Sequence, residues 1–435
     1  MPDGNAAWWD LGPVPESRVR AWTARAFLRR SVAPLALRIV HPDGRVFGAG
    51  SSEAPALIVH DPDAFYRRIG SAGLVGVGES YQAAEWDSVD LAGLLTVFAE
   101  GIDRIVPRAA RRLRPLVTDR RPDSDDNTPE NARQNVARHY DLPHQMFEVF
   151  LDHTMTYSSA VFPVGPGTGA DALTQAQDYK LDRLLRQAGV GPGRTVLDIG
   201  AGWGELALRA AAKGAGVRAV TLSKEQYRYI SERVERAGLA GRVDVQFGDY
   251  REVEGRYDTV FSIEMMEAVG HAYLPEFLAA LDRLVAPGGR VILQSTVMRH
   301  DRMVEMRDSN SWIKKYIFPG SALPSVTSIE AAVAGQKFLH IVDEERFRFH
   351  YAQTLRLWRQ RFEAGADRLT TLGFDTTFQR TWRFYLAWCE AGFRSGVLDV
   401  ARYVLEPGRG HGQGHEQGDG QGDEKADASS YLRAR

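Results

Sequence analysis

Residues 196–207 read VLDIGAGWGELA, an apolar run that passes through three glycines into an alanine- and leucine-rich segment. Gly200, Gly202 and Gly204 are spaced G-x-G-x-G, whereas the dinucleotide loop that admits a pyrophosphate is G-x-G-x-x-G. Glycines in such a turn let bare backbone approach a ligand. The helix that follows would aim free N–H groups and a positive dipole end at a carboxylate. Asp198, at the end of the apolar run, can accept from an amine. TLSKEQ (221–226) ends the next run, where Thr221 and Gln226 can reach a ribose. GDY (248–250) ends the one after, where Asp249 and Tyr250 can bracket an adenine. An amino acid, a ribose and an adenine without a phosphate describe S-adenosylmethionine. The competing explanation is a glycine turn that serves helix–strand packing alone.

These residues need a scaffold that places them at successive strand ends, and the pattern supplies one. DYKLDRLLRQAG (178–189) has helical spacing and ends on glycine. TVLDIG, VRAVTLS (217–223), VDVQFGD, YDTVFSIEM and RVILQSTV read as strands. ELALRAAAKGA, KEQYRYISERVERAG (224–238) and EFLAALDRLVAPGG read as the helices between them. Strands alternating with helices predict an α/β fold with a doubly wound, Rossmann-like parallel sheet over 132–406. Its ligand belongs at the carboxyl ends of the strands. Residues 1–117 are expected to form a smaller N-terminal α+β domain. It has a hairpin about the PDG turn at 42–44, a strand in PALIVHD and a helix over 91–106. TDRRPDSDDNTPEN (118–131) is polar, contains two prolines and reads as a linker. Residues 407–435 are expected to be a disordered tail, with His411 and His415 solvated rather than bound to metal.

Bulk properties narrow the class. The chain has 435 residues, 44% hydrophobic and 25% charged, with a formal net charge of −2. That balance argues against nucleic acid as a partner. The single cysteine, Cys389, excludes an intrachain disulfide and a cysteine-rich metal site, so no metal is expected. MPDGNAAWWD has no secretory pattern, and no apolar run reaches the length of a bilayer span. The expected location is the cytoplasm, peripherally associated with the inner face of the membrane.

Several stretches carry a more specific signal. They are HYDLPHQMFEVFLDHTMTYSSAVF (139–162), FSIEMMEAVGH (261–271), WIKKYIFPGSALPS (312–325), FRFHYAQTLRLWRQRF (347–362) and RTWRFYLAWCEAGFRSG (380–396). With the glycine loop and VTLSKEQ they resemble, in order from 139 to about 400, the cyclopropane-fatty-acyl-phospholipid synthase family. That family includes the mycolic acid cyclopropane synthases and fatty acyl methyltransferases of the tuberculostearic-acid type. GLVGVGESYQAAEWDSVDLAGLL (73–95) is similar to the N-terminal domain of its phospholipid-acting members. The resemblance implies an enzyme that carries one carbon from S-adenosylmethionine to the double bond of an acyl chain in a membrane phospholipid. It adds Tyr157 and Ser158 to the cofactor site. Trp312, Tyr316, Phe318, Tyr385 and Trp388 are expected along the acyl channel.

Departures from the family pattern bear on the product. An alkene that attacks a sulfonium methyl becomes a carbocation, so the site needs dryness, aromatic faces and a base. In the family a bicarbonate, held by a cysteine, a glutamate, a histidine, a tyrosine and a backbone group, is taken as that base. Here the cysteine is Ser159 and the fifth-strand histidine is Gln294, while Glu267 and Tyr351 are kept. These changes put bicarbonate in doubt and leave Glu267 as the favoured base or base-holder. Ring closure needs a proton from the new methyl. The expectation is therefore a methylene- or methyl-branched chain of the 10-methylstearate type, with true cyclopropanation as the alternative. Saturating a methylene would need a separate reductase. Cys389 is expected to be a packed small residue and Glu205 a helix cap. RAARRLRPL (108–116), with Arg120 and Arg121, is expected to face either anionic headgroups or solvent. A small-molecule methyltransferase, an inactive lipid-binding protein and a homodimer remain open on sequence alone.

Overall fold

The computed structural model describes residues 9, 11–105, 127–163, 171–307 and 309–408. The basic segment 108–121, most of the expected linker and the tail from 409 lie outside them.

The N-terminal part is a small mixed sheet, β1 (Arg38–Val40), β2 (Val46–Phe47), β3 (Ala56–Val59) and β4 (Trp86–Asp87), in the order β2-β1-β3-β4. The expected hairpin is β1–β2, closed by His41 and Gly44 around the PDG turn. Helices Arg18–Val32, Pro62–Ala72, Leu74–Gln82 and Leu91–Ile105 pack on it.

The main sheet has seven strands. They are β5 (Thr195–Ile199), β6 (Gly216–Thr221), β7 (Val243–Phe247), β8 (Tyr257–Ile263), β9 (Val285–Met298), β10 (Leu339–Arg346) and β11 (Leu398–Pro407). Their order is β10-β11-β9-β8-β5-β6-β7. β5 to β9 run parallel, and β11 and β10 add antiparallel to the β9 edge. The chain crosses from one half of the sheet to the other between β7 and β8, so the switch point lies between β5 and β8. β5 is buried at four of its five positions, as a central parallel strand covered on both faces must be. β10 and β11 were not anticipated. LHIVDEER carries exposed Asp343 and Glu344, as suits an outer strand, and its run of charges masks the period-2 pattern. β9 also begins at Val285, inside the stretch EFLAALDRLVAPGG expected to be a helix.

The two parts share one core. Val32, Tyr81, Trp86 and Leu94 from the N-terminal part cluster with Trp312, Trp358, Trp382 and Phe384 from the rest of the chain. The Arg380 guanidinium fastens them, donating to the Tyr81 carbonyl at 2.6 Å, the Trp86 carbonyl at 2.9 Å and the Asp87 carboxylate at 2.9 Å. The expected linker also ends early. Thr128 caps the helix Pro129–Tyr140, whose proline occupies the first turn, where no backbone donor is needed.

Candidate active site

A cleft enclosing about 1230 Å3, its mouth included, lies over the carboxyl ends of β5, β6 and β7. All ten expected cofactor residues line it: Tyr157, Ser158, Asp198, Gly200, Gly202, Gly204, Thr221, Gln226, Asp249 and Tyr250. The three glycines have φ of +77°, +55° and +86°, which only glycine adopts without strain. A Cβ on Gly200 would sit 2.7 Å from Met265, while at Gly202 nothing lies within 4 Å. Gly202 therefore keeps backbone bare beside open space. The Thr221 hydroxyl donates to the Gln226 amide oxygen at 2.7 Å and fixes that side chain. One carboxylate oxygen each of Asp198 and Asp249 is buried without a hydrogen-bond partner. Burial pushes the Asp198 carboxyl up to about 7. Two orphaned acceptors, a bare turn and a buried tyrosine fit an amine, a ribose and a purine. S-adenosylmethionine satisfies that set.

Two residues of the cleft were read differently or missed. Glu205 opens the helix Glu205–Ala212, but its carboxylate binds Arg209 at 2.7 Å and Arg233 at 2.5 Å, and Gly204 stands at the cap. Lys180 was missed. Its buried amine donates to the Ser158 hydroxyl at 2.7 Å, and desolvation draws it down to about 7. The signal was present: Lys180 falls on the buried helix face with Ala176, Leu181 and Leu184.

A second cavity, of about 1020 Å3, adjoins the first. Val136, Tyr140, Tyr157, Glu264 and Ala268 border both. Its walls are otherwise largely aromatic and aliphatic, with His139, Phe318, Leu323, Leu355, Tyr385, Phe393 and Leu398. A hydroxyl chain runs along it, Tyr157 to Tyr385 at 2.8 Å and His139 to Tyr157 at 3.3 Å. Phe318 and Tyr385 of the expected channel residues line this slot; Trp312, Tyr316 and Trp388 do not. The Trp312 indole donates to Gln82 at 2.8 Å, and the Tyr316 hydroxyl donates to Glu79 at 2.8 Å, so both face the N-terminal part. Trp388 packs on Phe384, ring centres 5.7 Å apart. Cys389 does line the slot. Burial pushes its thiol up to about 12, which keeps it protonated and poorly nucleophilic.

The expected catalytic set converges on an acid that the sequence reading passed over. Glu264 stands just beyond β8 with φ +54°, a strained value for a residue with a side chain. Register explains its neighbour: Ile263 of β8 pairs with Gln294 of β9. The Gln294 amide donates to the Glu264 carboxylate at 2.8 Å, and the Ser159 backbone N–H donates to the same oxygen at 2.9 Å. The Tyr351 hydroxyl donates as well, and the Lys180 charge also favours the ionised form. The Ser159 hydroxyl is turned away and donates to the Ala160 carbonyl. Glu267 lines the slot and accepts from the Thr296 N–H, with its other oxygen unpartnered. Burial, then the nearby Glu264 charge, pushes Glu267 up to about 8. Burial raises Glu264 too, but against one cation and three donors. The two carboxyls thus form a coupled pair: Glu267 keeps its proton up to about 8, while the cation and the three donors favour the ionised form of Glu264.

Residues 127–403 match the family model described as mycolic acid cyclopropane synthetase. The chain belongs to the mycolic acid cyclopropane synthetase family. Among curated relatives it is 49% identical to tuberculostearic acid methyltransferase UfaA1 of Mycobacterium tuberculosis, over 92% of this chain and 95% of that protein. It is 31% identical to the cyclopropane-fatty-acyl-phospholipid synthase of Escherichia coli, over 82% of this chain and 90% of that one. Among solved structures, cyclopropane synthase CmaA1 with SAH and CTAB aligns at a TM-score of 0.57 and 30% identity, covering 63% of this chain and 97% of that one. This member of the family is an S-adenosylmethionine-dependent methyltransferase with a Rossmann-like fold.

Proposed function

We propose that the chain methylates the double bond of an unsaturated fatty acyl chain, carried on a phospholipid, and yields a methylene- or methyl-branched product. The observation that carries this reading is Glu264, a protein carboxylate at the junction of cofactor cleft and apolar slot. The resemblance assigns Ser159, Gln294 and Tyr351 to the holding of a bicarbonate; here their N–H, amide and hydroxyl are directed at Glu264. The chain supplies its own base in place of that ion.

S-adenosylmethionine, when bound, supplies an electrophilic methyl carbon and leaves as a thioether. Asp198 and Asp249, with their unpartnered oxygens, would hold its amine and ribose, and Tyr250 would flank the adenine. The slot lays the alkene beside that cleft and keeps water out. After methyl addition the positive charge sits on the neighbouring acyl carbon, where Tyr140, Tyr157 and Tyr385 offer ring faces. A hydride shift from the methylated carbon to its neighbour moves the charge one carbon along. Glu264 then takes a proton from the new methyl, and the C–H electron pair becomes the exomethylene double bond. Loss of a methyl proton before that shift would instead close a ring. The 49% identity to a tuberculostearic acid methyltransferase, against 31% to a cyclopropane synthase, supports the branching outcome. Reduction of the methylene is assigned to a separate hydride donor.

Purified chain, given S-adenosylmethionine labelled in the methyl group and a dispersed monounsaturated phospholipid, is expected to place label in the released fatty acid without added bicarbonate. Label absent from the fatty acid, with cofactor binding intact, would refute this reading.

A further inference from the structure

The helix Arg18–Val32 buries Ala24, Ser31 and Val32 and leaves its opposite side in solvent. On that side Val19 and Trp22 are 76% and 73% exposed, and Phe27, on the flank of the helix, is 51% exposed. Val19, Trp22 and Ala26 are spaced i, i+3 and i+7, which sets them in one stripe. The sequence RVRAWTARAFLRRSV also holds five arginines and no acid. Arg25 lies over the Tyr66 ring at 5.7 Å and Arg29 over Phe47 at 5.1 Å, so the helix is anchored inward through these. Among the described residues none of the five has a carboxylate partner.

We infer that this helix face docks on an anionic phospholipid surface. An indole and two aliphatic or aromatic side chains suit the headgroup–acyl boundary, and the exposed guanidiniums of Arg18, Arg20 and Arg30 suit lipid phosphates. A neutral protein partner would leave the arginines uncompensated, and a nucleic acid would leave Val19 and Phe27 in water. No helix among the described residues is long and apolar enough to cross a membrane, so the contact is peripheral. The inference rests on the lipid substrate proposed above and names the surface that brings the enzyme to it.

Full-length protein is sedimented with vesicles of phosphatidylcholine alone or mixed with phosphatidylglycerol. Three proteins are compared: the unaltered chain, Trp22→Ser, and Arg18→Gln/Arg20→Gln/Arg30→Gln. The unaltered chain is expected to sediment with the mixed vesicles and not with phosphatidylcholine. Each lost arginine is expected to weaken partition by about fivefold, and Trp22→Ser is expected to weaken it further at unchanged circular dichroism. Partition that is equal in all three, or absent from the unaltered chain, overturns the inference. So does a dimer that Trp22→Ser dissociates while vesicle binding persists, or tighter binding to an oligonucleotide than to vesicles. Methylation of the same lipid in detergent micelles separates the two ideas. All three proteins should methylate it; failure of the unaltered chain there sinks the proposed function, whatever the vesicles show.

Discussion

Glu264 concentrates the chemistry at the residue scale. It is the side chain on which Ser159, Gln294 and Tyr351 converge, and it sits on strained backbone between the two cavities. Glu264→Gln keeps the shape and removes the basic oxygen. It is expected to lower turnover by about 10²- to 10⁴-fold while calorimetry still detects S-adenosylmethionine binding. Turnover at the unaltered rate would show that the proton goes elsewhere. The sequence displayed this acid in FSIEMMEAVGH, three residues before Glu267. What it did not display was register: only the pairing of Ile263 with Gln294 shows that Glu264, rather than Glu267, receives the amide. The glycine loop was legible because its backbone demand is written in residue type. The proposed base was not, since its position depends on which strands lie side by side.

At the scale of elements, Trp312 and Tyr316 mark where a pattern of aromatics misleads. Both lie in the short helix Trp312–Tyr316, just ahead of Phe318, which does reach the slot. Their polar ends are satisfied by Gln82 and Glu79 of the helix Leu74–Gln82, and Gly78 of that helix lies so close that a Cβ would fall 2.2 Å from the Trp312 ring. Residues 73–95 therefore position the wall of the acyl slot from outside it. Trp312→Ala removes a core indole and orphans the Gln82 amide oxygen. It is expected to destabilise the chain by about 3–5 kcal/mol in chemical denaturation, and to raise the KM for lipid more than that for S-adenosylmethionine. Unchanged stability would mean that the two parts are not one packed unit. Apolar periodicity announced a buried face here; it could not say which neighbour would cover it.

At the scale of the whole molecule, the fold carries raised carboxyl pKa values as a stability cost. Glu267 holds its proton to about 8 and Asp198 to about 7, against ordinary values of 4.5 and 3.8. Between those limits these two carboxyls bind more protons in the folded chain than in the unfolded one, so their contribution to the free energy of unfolding falls as pH rises, while His139 and Lys180, whose pKa values burial lowers, contribute the opposite slope. Relative to Glu267→Gln, the ligand-free chain is thus expected to lose stability to denaturant from about pH 4.5 to about pH 8. A slope of opposite sign, or one indifferent to Glu267, would contradict the assignment of the proton. The parallel strands and their helices were readable from alternation, whereas the antiparallel pair β10–β11 and the core shared by both parts were not. Those depend on contacts between segments far apart in the chain.

The account turns on where the proton leaves. The direct measurement is NMR of the fatty acid made from oleoyl phospholipid and S-adenosylmethionine carrying a ¹³C methyl. The label is expected in a vinylidene carbon, or in a methyl branch when the separate reductase and its hydride donor are supplied; label in the shielded methylene of a cyclopropane ring would contradict the account.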